Sequence, residues 1–132
     1  MANGQVVTTQ GKLIAFNRLF KAVPDYTTPT LFCVGTGTTT PVVTDTDLAI
    51  PVNINGGQTK AFISGYPILD EVNLNSTIRC LLLVTEANGN SLTEFGIKNT
   101  DGTKKLFSRA VHTPITKTTG VQVIYLEKDK II

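Results

Sequence analysis

Apolar and polar positions alternate most densely between residues 77 and 111, TIRCLLLVTEANGNSLTEFGIKNTDGTKKLFSRAV, and predict three consecutive strands over 77–85, 92–99 and 104–111. Each run is rich in apolar or β-branched residues and bounded by turn chemistry. Asn88-Gly89 and Asp101-Gly102 lie between them. Both dipeptides suit the left-handed backbone of tight hairpins, so the pattern predicts a three-stranded antiparallel meander. In the middle strand Thr93, Phe95 and Ile97 share one face while Glu94, Gly96 and Lys98 share the other, which predicts one wet side. The unbroken run Cys80, Leu81, Leu82, Leu83, Val84 predicts a central strand covered on both faces. In the third strand Phe107 and Val111 are expected inside, with Arg109 reaching the rim along its aliphatic stem.

Outside this stretch the period changes once. Leu13, Phe16, Leu19, Phe20 and Val23 recur at helical spacing, and predict an amphipathic helix over 12–23 that turns this stripe onto the sheet and stops at Pro24. Residues 1–10 carry no period and read as an arm ordered against a neighbour. A strand is expected over 30–34, then a Thr-rich surface loop over 36–48, an edge strand over 49–54, a turn at Asn55-Gly56-Gly57 and a strand over 59–64 with Phe62 inward. Gly65-Tyr66-Pro67 breaks that strand, and Thr113-Pro114 marks a further turn. The last strand, 121–126, sets Val123 and Tyr125 against Gln122, Ile124 and Leu126. Residues 127–132 form a charged tail whose terminal Ile131 and Ile132 are expected to dock on something. Together these predict a mainly β fold, a small antiparallel β-sandwich of five to seven strands with one short N-terminal helix, as one domain over 1–132.

Composition sharpens the picture. The 132 residues suffice for a core without covalent staples, and the 21 Thr favour pleated structure over helix. A net charge of +2 without a clustered basic stripe argues against a nucleic-acid or membrane-surface partner. No leader-like start or membrane span is read, so folding in a cytoplasm is expected. Cys33 and Cys80 each sit in an apolar run and are expected to be buried free thiols rather than a disulfide.

Chemistry is sparse. The single His112, in AVHTP, has no recognisable nucleophile beside it, and two cysteines with one histidine supply too few soft ligands for a structural zinc site. Gly35-Thr36-Gly37 begins like a phosphate-cradling loop, but Thr40 stands where a third glycine belongs and Pro41 prevents the helix that must follow. Asp45 and Asp47 could face a calcium ion, although the distal Gly and Glu of a calcium loop are missing, so a loop closed by side-chain hydrogen bonds is expected. Asp70, Glu71, Glu86 and Glu94 could supply a carboxylate pair for sugar hydrolysis, with nothing in the pattern to set their separation. No catalytic, cofactor-binding or metal-ligating residue is therefore assigned, and no enzyme activity or small-molecule substrate is expected.

Two segments carry a resemblance. TLFCVGTGTTTPVVTDTDLA over residues 30–49 and NSLTEFGIKNTDGTKKLFSRAVHTPITKT over residues 90–118 resemble elements of tailed-bacteriophage virion proteins, tail-fibre and collar-type proteins among them. The resemblance implies a non-enzymatic structural subunit, assembled in the host bacterial cytoplasm, built into the virion, and partnered by other virion proteins and copies of itself. A small tail, neck or fibre-base component is the first expectation, and capsid decoration the second. A carbohydrate- or cell-surface-binding sandwich is the expectation from a different class. It would want exposed aromatics, and the chain has no Trp and three Tyr, at 26, 66 and 125.

Overall fold

Eight strands and one helix succeed one another among residues 5–130, the part of the chain described by the computed structural model. In order they are β1 (Gln5–Val7), α1 (Thr9–Phe20), β2 (Leu31–Gly35), β3 (Lys60–Ala61), β4 (Ile68–Asp70), β5 (Asn75–Leu82), β6 (Asn90–Lys98), β7 (Leu106–Lys117) and β8 (Val123–Lys130). The strands form two antiparallel sheets, one ordered β1-β7-β6-β2-β3 and the other β4-β5-β8. Phe32, Val34, Leu92, Phe95 and Ile97 of the first sheet pack against Ile78, Cys80, Leu82 and Val123 of the second. The chain is a small β-sandwich with one short helix, as its pattern predicts.

An aromatic stack spans the interior. Phe95 lies 6.1 Å from Phe32 in its own sheet and 4.5 Å from Tyr125 across the gap, ring centroid to ring centroid. Offset aromatic contacts of this kind add to the burial of the rings.

The meander does not form. β6 and β7 do make the hairpin, paired from Asn90 and Lys117 to Lys98 and Leu106, but β5 belongs to the other sheet, between β4 and β8. The link through Asn88-Gly89 carries the chain from one layer to the other. Ala87, at φ 53°, and Gly89, at φ 84°, both take left-handed backbone there, and the Ala87 amide donates to the Ile54 carbonyl at 3.0 Å. Within its sheet β5 is indeed central, yet it is covered on one face only. Cys80 and Leu82 are buried, whereas Leu83 and Val84, just past the strand, are exposed.

The middle strand departs from expectation in the opposite sense. Glu94, Gly96 and Lys98 do not face water, because the loop after β2 folds over the outer surface of the first sheet and buries them. Leu48 from that loop joins Cys33 and Leu106 in a second apolar cluster beneath it. The edge strand expected over 49–54 reduces to one bridge between Gly35 and Pro51, and the strand expected over 59–64 to β3, with Phe62 inward as predicted. Thr113-Pro114 is not a turn. β7 runs through it, with the register slipping between Leu92 and Glu94, so that Pro114 sits in a bulge where its missing N–H costs the ladder nothing.

The two terminal segments are also built in more than their composition suggests. Gln5, Val6 and Val7 pair with Ala110, Arg109 and Ser108 of β7, and Glu127 to Lys130 continue β8 beside β5. The first four residues of the expected arm and the Ile131-Ile132 pair lie outside the described residues. Helix α1 starts earlier than its apolar period, because Thr8 caps it: the Thr8 Oγ1 accepts from the Gly11 amide at 3.0 Å and donates to the Leu106 carbonyl at 2.5 Å. Gly11 and Ile14 face the sheet, and a Cβ on Gly11 would stand 2.2 Å from the Phe107 carbonyl oxygen. The stripe expected to pack inward therefore points outward. Leu13, Phe16, Leu19, Phe20 and Val23 are all exposed, Phe16 by 65% and Phe20 by 71%.

Candidate functional site

Sequence and fold together gather five charged side chains, Asp45, Asp47, Glu94, Lys98 and Arg109, in one cluster on the outer face of the first sheet. β6 aims Glu94 and Lys98 out of the sandwich, and β7 aims Arg109 the same way. Arg109 is 2% exposed rather than at the rim. Its Nε donates to Glu94 Oε1 at 3.0 Å, Nη1 to Asp45 Oδ2 at 3.0 Å and Nη2 to the Thr39 carbonyl at 2.9 Å. Lys98 pairs with Asp47 at 2.7 Å. Asp45 and Asp47, singled out by spacing as a possible cation pair, thus each hold a cationic side chain of the sheet instead.

Glu94 is saturated. Oε1 also accepts from the Ala49 amide at 2.8 Å, and Oε2 accepts from the Gly37 amide at 2.7 Å and the Ile50 amide at 2.8 Å. Burial works to raise its pKa, but the Ile50 and Ala49 amides, Arg109 and the Gly37 amide outweigh it, and the carboxyl is held below its ordinary value. A carboxylate with four donors has no lone pair to offer a substrate proton. The glycines before it acquire a physical role here. A Cβ on Gly37 would come within 2.4 Å of Glu94 Oε2, and one on Gly35 within 2.4 Å of the Ile50 carbonyl oxygen. Of the Gly35-Thr36-Gly37 loop only the Gly37 amide meets an anion, and that anion is the chain's own carboxylate.

The other candidates scatter. Glu86 binds Lys60 at 2.6 Å and the Leu83 amide at 2.8 Å. Asp70 accepts from the Val72 and Asn73 amides, each at 3.1 Å, within its own turn. Cys33 and Cys80 are buried free thiols; burial pushes Cys33 up to about 12 and Cys80 higher still, so neither is a ready nucleophile at neutral pH. The described residues contain no cluster of three or more His, Cys, Asp or Glu able to hold a metal, and no helix long and apolar enough to cross a membrane.

A cleft of about 540 Å³ opens where the two sheets part, between β7 and the edge strand β8. Phe95, Ala110, Ile115 and Tyr125 give it apolar walls, with His112 and Glu127 among its polar groups. The β7 bulge presents His112 to the cleft. Its Nδ1 donates to the Thr113 carbonyl at 2.9 Å, leaving Nε2 to accept from the Tyr125 hydroxyl at 2.9 Å. Both ring nitrogens are thereby occupied, and burial raises the Tyr125 hydroxyl well above its ordinary range.

Glu127 and Asp129 are the acidic pair that sequence reading missed. Their composition reads as a charged tail, whereas alternation along β8 turns them inward after Val123 and Tyr125. Gln5 donates to Glu127 Oε1, while Glu127 Oε2 and Asp129 Oδ1 are buried without another hydrogen-bond partner. Burial, and then the neighbouring Asp129 carboxylate, push Glu127 up to about 8, and burial raises Asp129 as well. The two neighbouring carboxyls can share one proton.

The three tyrosines do not form a platform. Tyr125 stacks on Phe95 in the core, Tyr66 lies under Arg79 and Tyr26 under Lys105. The arrangement offers charges locked into internal pairs, one apolar cleft and a helix with its apolar stripe uncovered. Comparison with protein-family models, with curated proteins and with solved structures gives no match for this chain.

Proposed function

We propose that this chain is a non-enzymatic structural subunit of a bacteriophage particle, a small tail, neck or fibre-base component that works by protein–protein assembly. The observation that carries the reading is the contrast between its charges and its apolar surface. Buried Glu94 and Arg109 are spent on holding a loop to a sheet, while five large apolar side chains between positions 13 and 23 are left in water. A stripe of that kind is costly in a monomer and useful in an assembly. The resemblance of residues 30–49 and 90–118 to virion proteins favours the particle as the place where such an assembly forms.

Mass spectrometry of purified phage particles tests it. The chain is expected among the particle proteins at a defined copy number, with a handful or a dozen copies for a tail or neck component and hundreds for capsid decoration. Its absence from the particle, with turnover of a small molecule by the pure chain, would refute the reading.

A further inference from the structure

Two exposed apolar surfaces of opposite charge lie on different layers of the molecule. The first is the outward face of α1, which packs through Gly11 and Ile14 against the β7 side of the first sheet. On the α1 face sit Leu13, Phe16, Leu19 and Phe20, with Val23 exposed just past the helix and the Phe16 and Phe20 rings 5.0 Å apart. Lys12 stands one turn before Phe16 in the same row, and the ionisable residues of the helix, Lys12 and Arg18, are both cationic. The second surface is the turn joining β4 to β5 in the other sheet. There Ile68, Leu69, Val72 and Leu74 are exposed, Val72 by 90%, and Leu69 and Leu74 line a cleft of about 370 Å³. The ionisable residues between positions 68 and 74 are Asp70 and Glu71, both acidic; Lys130 is the cation at the cleft's rim.

We infer that copies of this chain join head to tail, the α1 face around Phe16 and Phe20 of one copy seating on the acidic 68–74 turn of the next. Charge decides between this and a symmetric pairing of two α1 faces. Symmetric pairing would set Lys12 against a partner helix with no acid of its own; the acid nearest that helix, Asp25, is already paired with Lys21 at 2.8 Å and bound by Asn17, so Lys12 would be left uncompensated. The 68–74 turn offers Glu71, which has no hydrogen-bond or ion-pair partner among the described residues, beside apolar side chains that match the stripe. Because the two surfaces are different patches of one chain, the contact is heterologous and propagates into a ring or an open filament. The inference rests on the reading above in taking assembly as the chain's work, and names the surfaces and the partner.

Sedimentation velocity over a concentration series tests it, with circular dichroism confirming that each variant is folded. The substituted positions are exposed, so the fold is expected to survive. The wild-type chain associates, and Phe16→Ser/Phe20→Ser and Val72→Ser/Leu74→Asn each weaken association by roughly tenfold or more. Asn is chosen at 74 because the backbone there has φ 55°. Each double variant keeps one intact surface, so an equimolar mixture of the two forms one-to-one dimers and nothing larger. Lys12→Glu and Glu71→Lys each weaken association, and the two together restore it. The inference is overturned by a wild-type chain that stays monomeric up to about 1 mM, by a Phe16→Ser/Phe20→Ser variant that associates as before, or by a mixture that makes no dimer. Binding of the monomer to anionic vesicles, lost in the Phe16→Ser/Phe20→Ser variant, would instead give the stripe to a lipid surface. Association that ignores both surfaces sinks this inference and leaves the particle reading standing; absence from purified particles sinks the reading while the centrifuge result still stands.

Discussion

Glu94 Oε1 and Arg109 Nε meet at 3.0 Å on the outer face of the first sheet, with both side chains removed from water. Three backbone amides of the overlying loop complete the carboxylate's shell, and Asp45 and Thr39 complete the guanidinium's. The pair therefore pins the Thr-rich loop to the sheet. Arg109→Met removes one partner and leaves the other charge buried, and is expected to cost about 3 to 5 kcal/mol, read as a lowered urea midpoint. A cost below about 1 kcal/mol would mean that the loop is held elsewhere.

The same carboxylate sets the acid limit of stability. Its pKa in the folded chain lies below its ordinary value of 4.5, so its stabilisation is fully present above that value and is lost as pH falls through the folded pKa. Urea titrations in a pH series below 4.5 should show a steep loss. In Glu94→Gln the slope should shrink while overall stability drops, because a Gln amide turns an N–H toward donors.

Glu127 acts with the opposite sign. Burial and Asp129 hold its pKa in the folded chain at about 8 against an ordinary 4.5, so between those values the folded state binds more protons than the unfolded one. Stability then falls as pH rises through that window, and below it the penalty is gone. Glu127→Gln keeps the shape and removes the charge. It is expected to stabilise the chain by about 1 kcal/mol or more at about pH 9 and to change little at about pH 5. Equal effects at both ends would show that this carboxyl is not carrying the proton.

The legible parts of this fold were those in which local chemistry and tertiary placement agree. The β6–β7 hairpin, β2 and the inward set Val123 and Tyr125 follow from alternation and turn residues alone. Pairing partners did not follow, because Asn88-Gly89 permits a hairpin without enforcing one, and Ala87 takes a left-handed backbone that its side chain does not advertise. Glu94 and Lys98 read as a wet face, and Arg109 as a residue of the rim, because nothing local says that a loop some fifty residues earlier in the chain brings its own amides and carboxylates to meet them. The α1 stripe misled for a related reason. Helical spacing shows that a stripe exists, and whether it faces the chain's own sheet or another surface depends on Gly11, whose small size lets the opposite side dock. The Glu127-Asp129 pair was hidden by composition, since a charged terminal segment reads as solvated until its neighbour β5 is known.

The aromatic stack predicts a core effect. Phe95 touches Phe32 in its own sheet and Tyr125 in the other, so Phe95→Ala removes the contact that spans both layers. A loss of about 3 to 5 kcal/mol is expected by denaturant titration. Tyr125 borders the cleft beside His112, so the same substitution should also enlarge the cleft and loosen the Tyr125–His112 hydrogen bond, visible as a shift of the His112 ring signals in NMR spectra.

Gly11 gives the most local test of how the helix is seated. Alanine has the higher helix propensity, by about 1 kcal/mol, so a helix free of its surroundings would gain from Gly11→Ala. Here the added Cβ would stand 2.2 Å from the Phe107 carbonyl oxygen and 3.0 Å from the Phe107 Cα, against backbone that cannot swing away as a side-chain tip would. The helix must lift, straining the Thr8 hydrogen bonds to Leu106 and Phe107 and uncovering Ile14. The steric term is expected to win, with a net loss of about 1 to 3 kcal/mol. A variant as stable as the wild type, or more so, would show that α1 rides on the sheet more loosely than the Gly11 approach implies. The exposed side of the helix would then have to be reconsidered as well, since the close seating of Gly11 and Ile14 is what turns Phe16 and Phe20 outward.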